Sequence, residues 1–515
     1  MQMPAHGTRT VSEADFGRMK LLDELAASAH ADADLELLAQ AMVSPPDPPK
    51  DGADDEENPY VPAGYTYLGQ FIDHDLTFDT HSVFDDPKSL ERASNMRTPR
   101  FDLDNVYGRG PDDQPYLYKD SFDGTLLLGD PLDNGVPDVQ RNAEGRAIIG
   151  DPRNDENSIV VQLQSAFIRF HNKMVARAGA AGLAGRESFL WAQTQTRQHY
   201  QRIILDDFLP RIMDRTASTV SAIFAALATG HQPTLKLYNL DLPPYMPIEF
   251  SVAAYRFGHS MIRPGYRLSV AAGDVPLTDA DDKRLFAIFK GNDGGLRGFQ
   301  RLAKGKGIDW NLFFSKGLAS GDPLDNSATA PNNLKGAQGL GRTQLAYKID
   351  TMVVTPISTL PPAVAANPSN LALRNLKRGR DFGLPSGQDA ALRVGAPVLS
   401  EAQLSVRINN AFDKRQPIEQ ISARFKGDAP LWFYILAEAE TAVFEAFAAN
   451  PNADALSLGS RLGPLGSAIV LETFVGLMMK DPESVLNPRA VWRSINGKPT
   501  FSMEELLAEI GSPLT

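Results

Sequence analysis

The chain has 515 residues, a formal net charge of -12 and no cysteine. Its 43% hydrophobic and 22% charged residues are typical of a globular protein that can bury a sizeable core. The acidic balance argues against sequence-independent binding to nucleic acid or anionic lipid, so small molecules and hard cations are the expected partners. The lack of cysteine excludes disulfides, thiolate metal ligands and a cysteine nucleophile, and it suits a protein that handles oxidants.

Targeting and membrane signals are absent from the pattern of apolar residues. The first thirty residues lack a basic start followed by an apolar run, so no secretory signal is expected. The most apolar late stretch, residues 462–479, is interrupted by Pro464 and Glu472 and is too short and broken to span a bilayer. We therefore expect a soluble protein, cytoplasmic or exported by an unconventional route, whose oligomeric state the sequence leaves open.

In chain order, the predicted elements are mostly helices. Residues 17–43 show helical spacing and run into an acidic, Pro-rich stretch, so an N-terminal arm and linker are predicted over residues 1–59. Later helical patterns cover residues 65–76, 159–177, 189–208, 250–262, 431–449 and 465–479. Residues 319–341 are rich in Gly, Asn, Pro and Asp, which indicates a surface excursion. Because strand signals are few and short, we predict a mainly α fold with one large domain over residues 60–515.

The segment GQFIDHDL places two carboxylates beside one histidine on the first of the later helices. Gln70, Asp73 and His74 are three and four residues apart and so share one face of a helix. Asp75 points about 100° away from His74, because a helix has about 3.6 residues per turn. Apolar residues fill the remaining positions, so the polar patch either faces a cavity or is a solvated patch with a capped histidine.

Two later stretches combine charged residues with predicted helices. His259 lies in AAYRFGHSMIRP among apolar residues, with Arg256 three positions before it. The segment GDPRNDEN places Arg153 and Glu156 three residues apart, just before the helix predicted for residues 159–177. Taken alone, the first stretch is a core histidine and the second a helix start with acids in its first turn.

A fourth stretch, RNLKRGRDFGLPSG, crowds Asn375, Arg378, Arg380 and Asp381 before a turn, and by itself indicates a basic loop tied by a salt bridge. In this order and with these spacings, from about residue 60 to residue 482, the four stretches resemble the animal-type heme peroxidases. This is the peroxidase-cyclooxygenase superfamily, which contains myeloperoxidase, lactoperoxidase and, more distantly, the cyclooxygenases. The chain resembles a bacterial-type member of it.

The resemblance assigns roles around a heme b cofactor. It implies that His74 is the distal histidine, with Gln70 beside it and Arg153 as the distal arginine. It makes His259 the proximal ligand of the heme iron and Asn375 the acceptor of the proximal ring N–H. The other cofactor contacts that it implies are Arg256 and Arg378, near the heme and its propionates, and Asp73 and Glu156, as carboxylates that can form esters with heme methyl groups.

The same resemblance implies a calcium site beside the distal helix. TPRFDLDNVYG resembles the family's calcium loop, which carries over Thr98, the backbone carbonyl of Arg100, Asp102 and Asp104, together with Asp75. Hard oxygen ligands at alternating positions suit Ca²⁺. Many animal members have a serine where Asp104 stands, so this site gains a carboxylate.

The expected activity is that of a heme-dependent peroxidase with a role in the response to oxidative stress. By the resemblance, it reduces H₂O₂ through an oxoferryl intermediate and oxidises halides, thiocyanate or phenolic donors. His74 would take a proton from the peroxide and return it, while Arg153 keeps the imidazole neutral. Asn157 stands where myeloperoxidase has a heme-bonded methionine, so at most two ester links and poor chloride oxidation are expected.

Two other functions compete with this interpretation. A fatty-acid dioxygenase of the cyclooxygenase branch would carry a radical-forming tyrosine three residues before the proximal histidine, where this chain has Arg256; Tyr255 is one position off. A non-catalytic calcium-binding adhesion module would not need His74, Arg153 and His259. Phe382 stands where many members of the superfamily have a histidine, so any contact made by that ring is lost.

Overall fold

A computed structural model gives the fold of the chain. It describes residues 16–46, 54–78, 93–120, 124–269, 285–288, 295–303, 305–315, 343–362, 365, 367–488, 492–512 and 514. Two sequence predictions lie outside the described residues: the middle of the acidic linker, at 47–53, and the surface excursion at 319–341.

The described chain is mainly α-helical, which confirms the predicted fold class. The α-helices are α1 (Asp32–Ala41), α2 (Gly64–Leu76), α3 (Asp104–Tyr107), α4 (Ser158–Ala180), α5 (Gly185–Ile203), α6 (Leu209–Ile212), α7 (Ser218–Ala228), α8 (Leu371–Asp381), α9 (Gly387–Val394), α10 (Leu431–Ala439), α11 (Thr441–Ala449), α12 (Pro464–Lys480) and α13 (Met503–Glu509). Two π-helical segments, Ile204–Phe208 and Glu249–Ala253, and 3₁₀ turns that include Pro152–Asp155 and Ala254–His259 complete the helical structure.

The strands are short, and each pairs with one other strand in the described ranges. They are β1 (Phe16–Gly17), β2 (Glu57–Pro62), β3 (Tyr118–Asp120), β4 (Thr125–Leu126), β5 (Leu128–Pro131), β6 (Pro137–Val139), β7 (Met246–Pro247), β8 (Gly265–Arg267), β9 (Leu285–Ala287), β10 (Leu345–Tyr347), β11 (Ser405–Ile408) and β12 (Ala411–Pro417). β1 pairs with β7 in parallel, whereas β2 with β10, β3 with β4, β5 with β6, β8 with β9, and β11 with β12 are antiparallel. Two-stranded pieces cannot enclose a large core, so the helices build it.

The N-terminal arm differs from the predicted helix. Of residues 17–43, only Asp32–Ala41 forms an α-helix, and the chain before it runs through a short strand and turns. Met19 and Leu22 are fully buried in the same core as the later helices. The apolar spacing of the arm therefore reflects contacts with the rest of the protein rather than one continuous helix.

The helix predicted over residues 250–262 is also altered. It begins as the π-helical segment and tightens into the 3₁₀ helix Ala254–His259. Because a 3₁₀ helix has three residues per turn, Arg256 lies directly over His259 on one face. Tertiary packing, which periodicity does not report, sets this change of pitch.

A third predicted helix, over residues 431–449, is divided at Glu440. The Glu440 side chain is buried, and its carboxylate accepts hydrogen bonds from Arg415 at 2.9 Å and from the hydroxyl of Thr351 at 2.9 Å. Both partners are distant from Glu440 in the sequence. The sequence around Glu440 contains no proline or glycine that would signal the break between α10 and α11.

Helix α2 lies in the core against α4 and α5. The Phe71 ring stacks on Phe167, with centroids 4.6 Å apart, and meets the Tyr200 ring edge-on at 6.1 Å. These aromatic contacts fix the rotation of α2 about its axis. No helix in the described ranges is both long and apolar enough to cross a bilayer.

Candidate active site

A cavity of about 520 Å³ lies beside α2. Such a volume falls in the range of roughly 300–1,000 Å³ that is usual for small-molecule and cofactor sites. Its lining comes from α2, the Pro152–Asp155 turn, the 3₁₀ helix Ala254–His259 and α8. All nine residues that the sequence analysis assigned to catalysis or heme binding line it: Gln70, Asp73, His74, Arg153, Glu156, Arg256, His259, Asn375 and Arg378.

The imidazole of His74 is buried and has a fixed orientation. Its Nδ1 lies 2.7 Å from Oδ1 of Asn154, so Nδ1 carries the proton and donates it to the amide oxygen. Nε2 is thereby left as the acceptor atom of the ring. Burial and the positive charge of Arg153 lower the pKa of His74 to about 4. The ring is therefore a neutral imidazole near pH 7.

The orientation of the Asn154 amide follows from two further side chains. Gln164 donates through Nε2 to the carbonyl of Asn105 at 3.2 Å, which leaves its Oε1 as an acceptor. Asn154 donates through Nδ2 to that oxygen at 2.8 Å, and so turns its own oxygen toward His74. A chain of buried amides thus sets the tautomer of the histidine.

Arg153 lies at the start of the same turn and is held by Asp151. The Asp151 carboxylate accepts from Nη2 of Arg153 at 2.7 Å and from its backbone N–H at 2.8 Å. Nη2 also donates to the carbonyl of His74 at 3.1 Å, and the guanidinium lies 4.3 Å from the ring centroid of Phe78. Burial opposes ionisation of Asp151, but the charges of Arg153 and Arg97 outweigh it and hold its pKa well below the usual range.

Glu156 and Gln70 form a polar pair on the cavity wall. Gln70 donates through Nε2 to Oε1 of Glu156 and accepts from Nδ2 of Asn157 at 3.1 Å. Asn157 also caps α4, because its Oδ1 accepts from the backbone N–H groups of Ile159 and Val160 at 3.1 and 2.9 Å. Burial raises the pKa of Glu156 to about 7, so both protonated and ionised forms exist near neutral pH.

Asp73 faces the cavity from α2 and is ionised. Its Oδ1 accepts from the Thr77 hydroxyl at 2.9 Å, and its Oδ2 lies 3.4 Å from Nη1 of Arg256. Burial acts to raise the pKa of Asp73, but the Arg256 charge and its other polar neighbours lower it below the usual value. Arg256 is itself fixed by donation from Nε to the carbonyl of Ser251 at 2.8 Å.

His259 ends the 3₁₀ helix and contacts α8. Its Nδ1 lies 2.7 Å from Nδ2 of Asn375, and with the two terminal atoms of this amide exchanged the side-chain oxygen would accept from the ring N–H at the same distance. Burial and the charge of Arg256 lower the pKa of His259 to about 3. Gly258 beside it lines the cavity, and a Cβ there would meet no atom within 4 Å. A neutral ring with Nδ1 engaged presents Nε2 to a metal.

Phe382 is buried between two side chains at the cavity wall. Its ring meets that of Phe16 edge-on, with centroids 6.3 Å apart, and lies 5.5 Å from the guanidinium carbon of Arg378. Arg18 in the arm donates to the backbone carbonyl of Phe382 at 3.0 Å. The N-terminal arm therefore supplies part of the cavity lining, which the sequence analysis did not anticipate.

The acidic residues Asp75, Asp102 and Asp104 form a second cluster next to α2. Their carboxylate oxygens lie within 4.8 Å of one another, and all three side chains are buried. Neither oxygen of Asp75 completes a hydrogen bond of good geometry, although the Leu103 amide and the Tyr200 hydroxyl are near enough to affect it. Burial raises the pKa of Asp75 well above its usual value and that of Asp104 to about 8. A divalent cation would relieve this crowding of carboxylates.

The loop that carries this cluster folds tightly around it. Thr98 donates through its hydroxyl to Oδ2 of Asp102 at 2.8 Å, and its carbonyl accepts from the Arg100 N–H at 2.8 Å. Leu103 adopts a left-handed conformation with φ of 57°, which is uncommon for a residue with a side chain. The structure thus groups the carboxylates of Asp75, Asp102 and Asp104, with Thr98 bonded to Asp102.

Several residues of the two sites were not singled out from the sequence. Asp151 and Asn154 stand inside the quoted segment GDPRNDEN, where Asp followed by Pro is typical of the first positions of a helical turn. Arg374 lines the cavity one position before Asn375 and could have been found in the basic run of α8. Phe16 had no signal, because its contact with Phe382 spans most of the chain.

The amino-acid sequence is similar to one protein family and to several known proteins. Residues 77–306 match the model of a family described as animal haem peroxidase. Thyroid peroxidase of Rattus norvegicus is 24% identical over 367 residues, which cover 67% of this chain and 35% of that protein. A peroxidase-like protein of Margaritifera margaritifera is 23% identical over 394 residues, which cover 64% of this chain and 44% of that protein. The chain spans less than half the length of these relatives.

Solved structures share the fold over almost the whole chain. Peroxidase A of Dictyostelium discoideum superimposes with a TM-score of 0.61 at 14% identity and covers 99% of this chain and 96% of that one. A fatty acid alpha-dioxygenase of Arabidopsis thaliana gives a TM-score of 0.58 at 14% identity and covers 99% of this chain and 80% of that one. At these identities the likeness concerns the fold.

Proposed function

Because the chain belongs to the animal-type peroxidase superfamily, we propose that it is a heme-dependent peroxidase that reduces H₂O₂ in the cavity beside α2. The observation that carries this proposal is the pair of neutral histidines, the buried His74 and the partly buried His259, that line one cavity. Each ring has its Nδ1 engaged by an asparagine side chain, which directs its Nε2 to other partners. The Nε2 of His259 is suited to bind a metal, and the Nε2 of His74 is suited to accept a proton from the substrate.

The cavity lining fits heme b. His259 would ligate the iron through Nε2, and the open space at Gly258 leaves room for a flat group beside it. Arg256 and Arg378 line the same cavity and would pair with the two propionates. Bound heme supplies an iron that takes up peroxide and accepts and donates single electrons.

The distal residues would handle the proton and the charge of the peroxide. His74, with its Nδ1–H on Asn154, would accept the proton of H₂O₂ at Nε2 and return it to the departing oxygen. Arg153, fixed by Asp151 and by the carbonyl of His74, would place positive charge beside the oxygens that separate. Gln70 lines the cavity next to Glu156 and would orient the substrate through hydrogen bonds.

Covalent links and a calcium ion are part of the proposal. Asp73 and Glu156 line the cavity from two different elements, and we assign them as the carboxylates that form esters with the heme. Asp75, Thr98, the carbonyl of Arg100, Asp102 and Asp104 would hold Ca²⁺, a hard cation that prefers such oxygen ligands. The unsatisfied, fully buried carboxylate of Asp75 supports a cation there.

Small anions and phenols are the proposed electron donors. Arg374 and Arg378 give the cavity wall a positive charge that would attract halides and thiocyanate. Asn157 is committed to capping α4 and to Gln70, and it offers no sulfur for a third link to the heme. Iodide, bromide, thiocyanate and phenols should therefore be oxidised well and chloride poorly.

Fatty-acid dioxygenation is the second candidate, and one observation favours it. Tyr255 lines the cavity, and its buried hydroxyl completes no hydrogen bond among the described residues. Arg256, however, takes the position directly over His259 in the 3₁₀ helix, and Tyr255 is offset from it. Oxygen uptake on addition of palmitic acid, with no uptake by Tyr255→Phe, would favour the dioxygenase.

Absorption spectroscopy of the purified protein tests the main proposal. We expect a Soret band that shifts on addition of H₂O₂ and returns when a phenolic donor is added. His259→Ala should lose the heme or change its coordination spectrum, whereas His231→Ala, at an exposed histidine outside the cavity, should match the wild type. A protein that takes up no heme even when it is supplied would contradict the proposal.

A further inference from the structure

We infer that Arg97 couples the acidic cluster to Arg153, so that a cation bound by Asp75, Asp102 and Asp104 orders the distal side of the cavity. Arg97 is then a positioning residue, since it acts on the cavity through Asp151. The inference rests on the proposed function only in taking the acidic cluster as a cation site.

Arg97 bridges two carboxylates that belong to different sites. Its Nη1 lies 3.1 Å from Oδ1 of Asp104, in the acidic cluster. Its Nη2 donates to Oδ2 of Asp151, and the same oxygen accepts from Nη2 of Arg153 at 2.7 Å. Four charged groups therefore alternate in sign from the cluster to the distal arginine: Asp104, Arg97, Asp151 and Arg153.

Three of these four groups are largely shielded from water, which makes their contacts strong and dependent on geometry, whereas the side chain of Arg153 is 23% exposed. The side chains of Arg97, Asp104 and Asp151 are 11%, 6% and 0% exposed. In such surroundings, the ion pair of Arg97 with Asp104 and the hydrogen bond of Arg97 with Asp151 are weakened little by solvent. A movement of the Arg97 guanidinium relative to Asp104 therefore also changes its contact with Asp151.

The backbone of Arg97 is anchored to the end of α2. Oδ1 of Asn95 accepts from the N–H groups of Phe78 and Arg97 at 2.9 and 3.2 Å, and Nδ2 of Asn95 donates to the carbonyl of Leu76 at 2.8 Å. The Phe78 ring lies 5.7 Å from the guanidinium carbon of Arg97 and 4.3 Å from that of Arg153. Both guanidinium groups therefore lie within about 6 Å of the centre of one aromatic ring.

Cation binding would redistribute the contacts of Arg97. A cation held by the cluster would compete with Arg97 for the carboxylate of Asp104. The attraction between the guanidinium of Arg97 and the carboxylate of Asp151 would then become the stronger of its two ion pairs. Asp151 is the residue that fixes both the side chain and the backbone N–H of Arg153. Cation binding should therefore order the Pro152–Asp155 turn, and an ordered turn should in return increase the affinity of the cluster for the cation.

A competing route would run along α2, because Asp75 follows His74 directly in the sequence. The two routes make different predictions for a variant without the guanidinium of Arg97. That variant keeps α2 and Asp75 but loses the bridge to Asp151.

Hydrogen–deuterium exchange of the full-length protein as purified, with Ca²⁺ or with a chelator, separates the routes. In the wild type, Ca²⁺ should slow exchange over residues 98–105 and over residues 151–156 by at least about five-fold, the lower end of common coupling strengths. In Arg97→Gln, the slowing should persist over 98–105 and vanish over 151–156. Arg407→Gln is the matched control, because Arg407 is a buried bridge between Glu56 and Asp350, at 2.8 and 2.6 Å, and neither partner lies in the two segments that are measured. It should keep both effects.

Persistent slowing over residues 151–156 in Arg97→Gln would overturn the inference in favour of the route along α2. A wild type in which Ca²⁺ leaves these residues unaffected would overturn it too. If Arg97→Gln does not fold, Arg97→Met, which keeps a long side chain without the guanidinium and leaves the three carboxylates intact, should show the same loss. The absorption spectrum of the same samples reports heme separately, so the failure of the proposed function is recognised independently of the exchange pattern.

Discussion

His74 shows how far a single ring depends on its neighbours. Its proton position is set by Asn154 and, behind that residue, by Gln164. His74→Ala should retain heme but react with H₂O₂ at least about 100-fold more slowly, since general acid–base catalysis contributes factors of this size. Stopped-flow absorption after mixing with peroxide measures the rate. A rate near that of the wild type would remove His74 from the proposed role.

The two carboxylates of the cavity lead to a separate test. Asp73 and Glu156 should become covalently attached to the heme, at the latest after peroxide turnover, because both line the cavity. Acidified organic solvent should then fail to extract the heme from the wild type and should extract it from the double variant Asp73→Ala, Glu156→Ala. Ready extraction from peroxide-treated wild type would show that these residues are only a polar lining.

Helix α12 begins at a buried carboxylate that titrates in an accessible range. Glu438 accepts from the N–H groups of Leu465 and Gly466 at 2.9 and 3.0 Å, and burial raises its pKa from 4.5 to about 7. The folded protein therefore holds this proton at pH values where the unfolded chain has lost it. The contribution of Glu438 to the free energy of unfolding is greatest below about pH 4.5 and declines until about pH 7.

Glu438→Gln removes this titration and keeps an oxygen that accepts from the helix. The free energy of unfolding of the variant, relative to the wild type, should rise by about 3 kcal/mol between pH 4 and pH 8. Urea unfolding curves at both pH values give this difference. Glu445→Gln, at an exposed position of α11, is the control. An equal difference at both pH values would show that Glu438 does not titrate in this range.

The stability of the protein as a whole should depend on the acidic cluster. With Ca²⁺ present at 100 times its dissociation constant, the folded state gains about 2.7 kcal/mol. Chelation should therefore lower the melting temperature by about 2–3 °C, and it should do so less in Asp75→Asn, which lacks the unsatisfied carboxylate. Differential scanning calorimetry with elemental analysis makes the measurement. A metal-free wild type with an unchanged melting temperature would contradict the calcium assignment.

The sequence predicted the mainly α fold because helical periodicity is a local property that survives in any context with a core. The sequence-based prediction of helices was wrong where contacts with residues distant in the chain determine the local backbone conformation. The arm of residues 17–43 is helical only in part, since Met19 and Leu22 pack into the core from turns. The 3₁₀ turn that carries Arg256 and His259 was expected as an ordinary helix, although no residue there signals a change of pitch.

By itself, the sequence determined that Gln70, Asp73 and His74 share one face of α2, because that relation follows from helix geometry alone. Only the tertiary structure decided that Phe16 closes one wall of the cavity and that Arg97 joins Asp104 to Asp151. Such contacts join residues far apart in the chain, and the excluded volume and burial of the whole fold select them. Spacing along the chain carries no record of that selection.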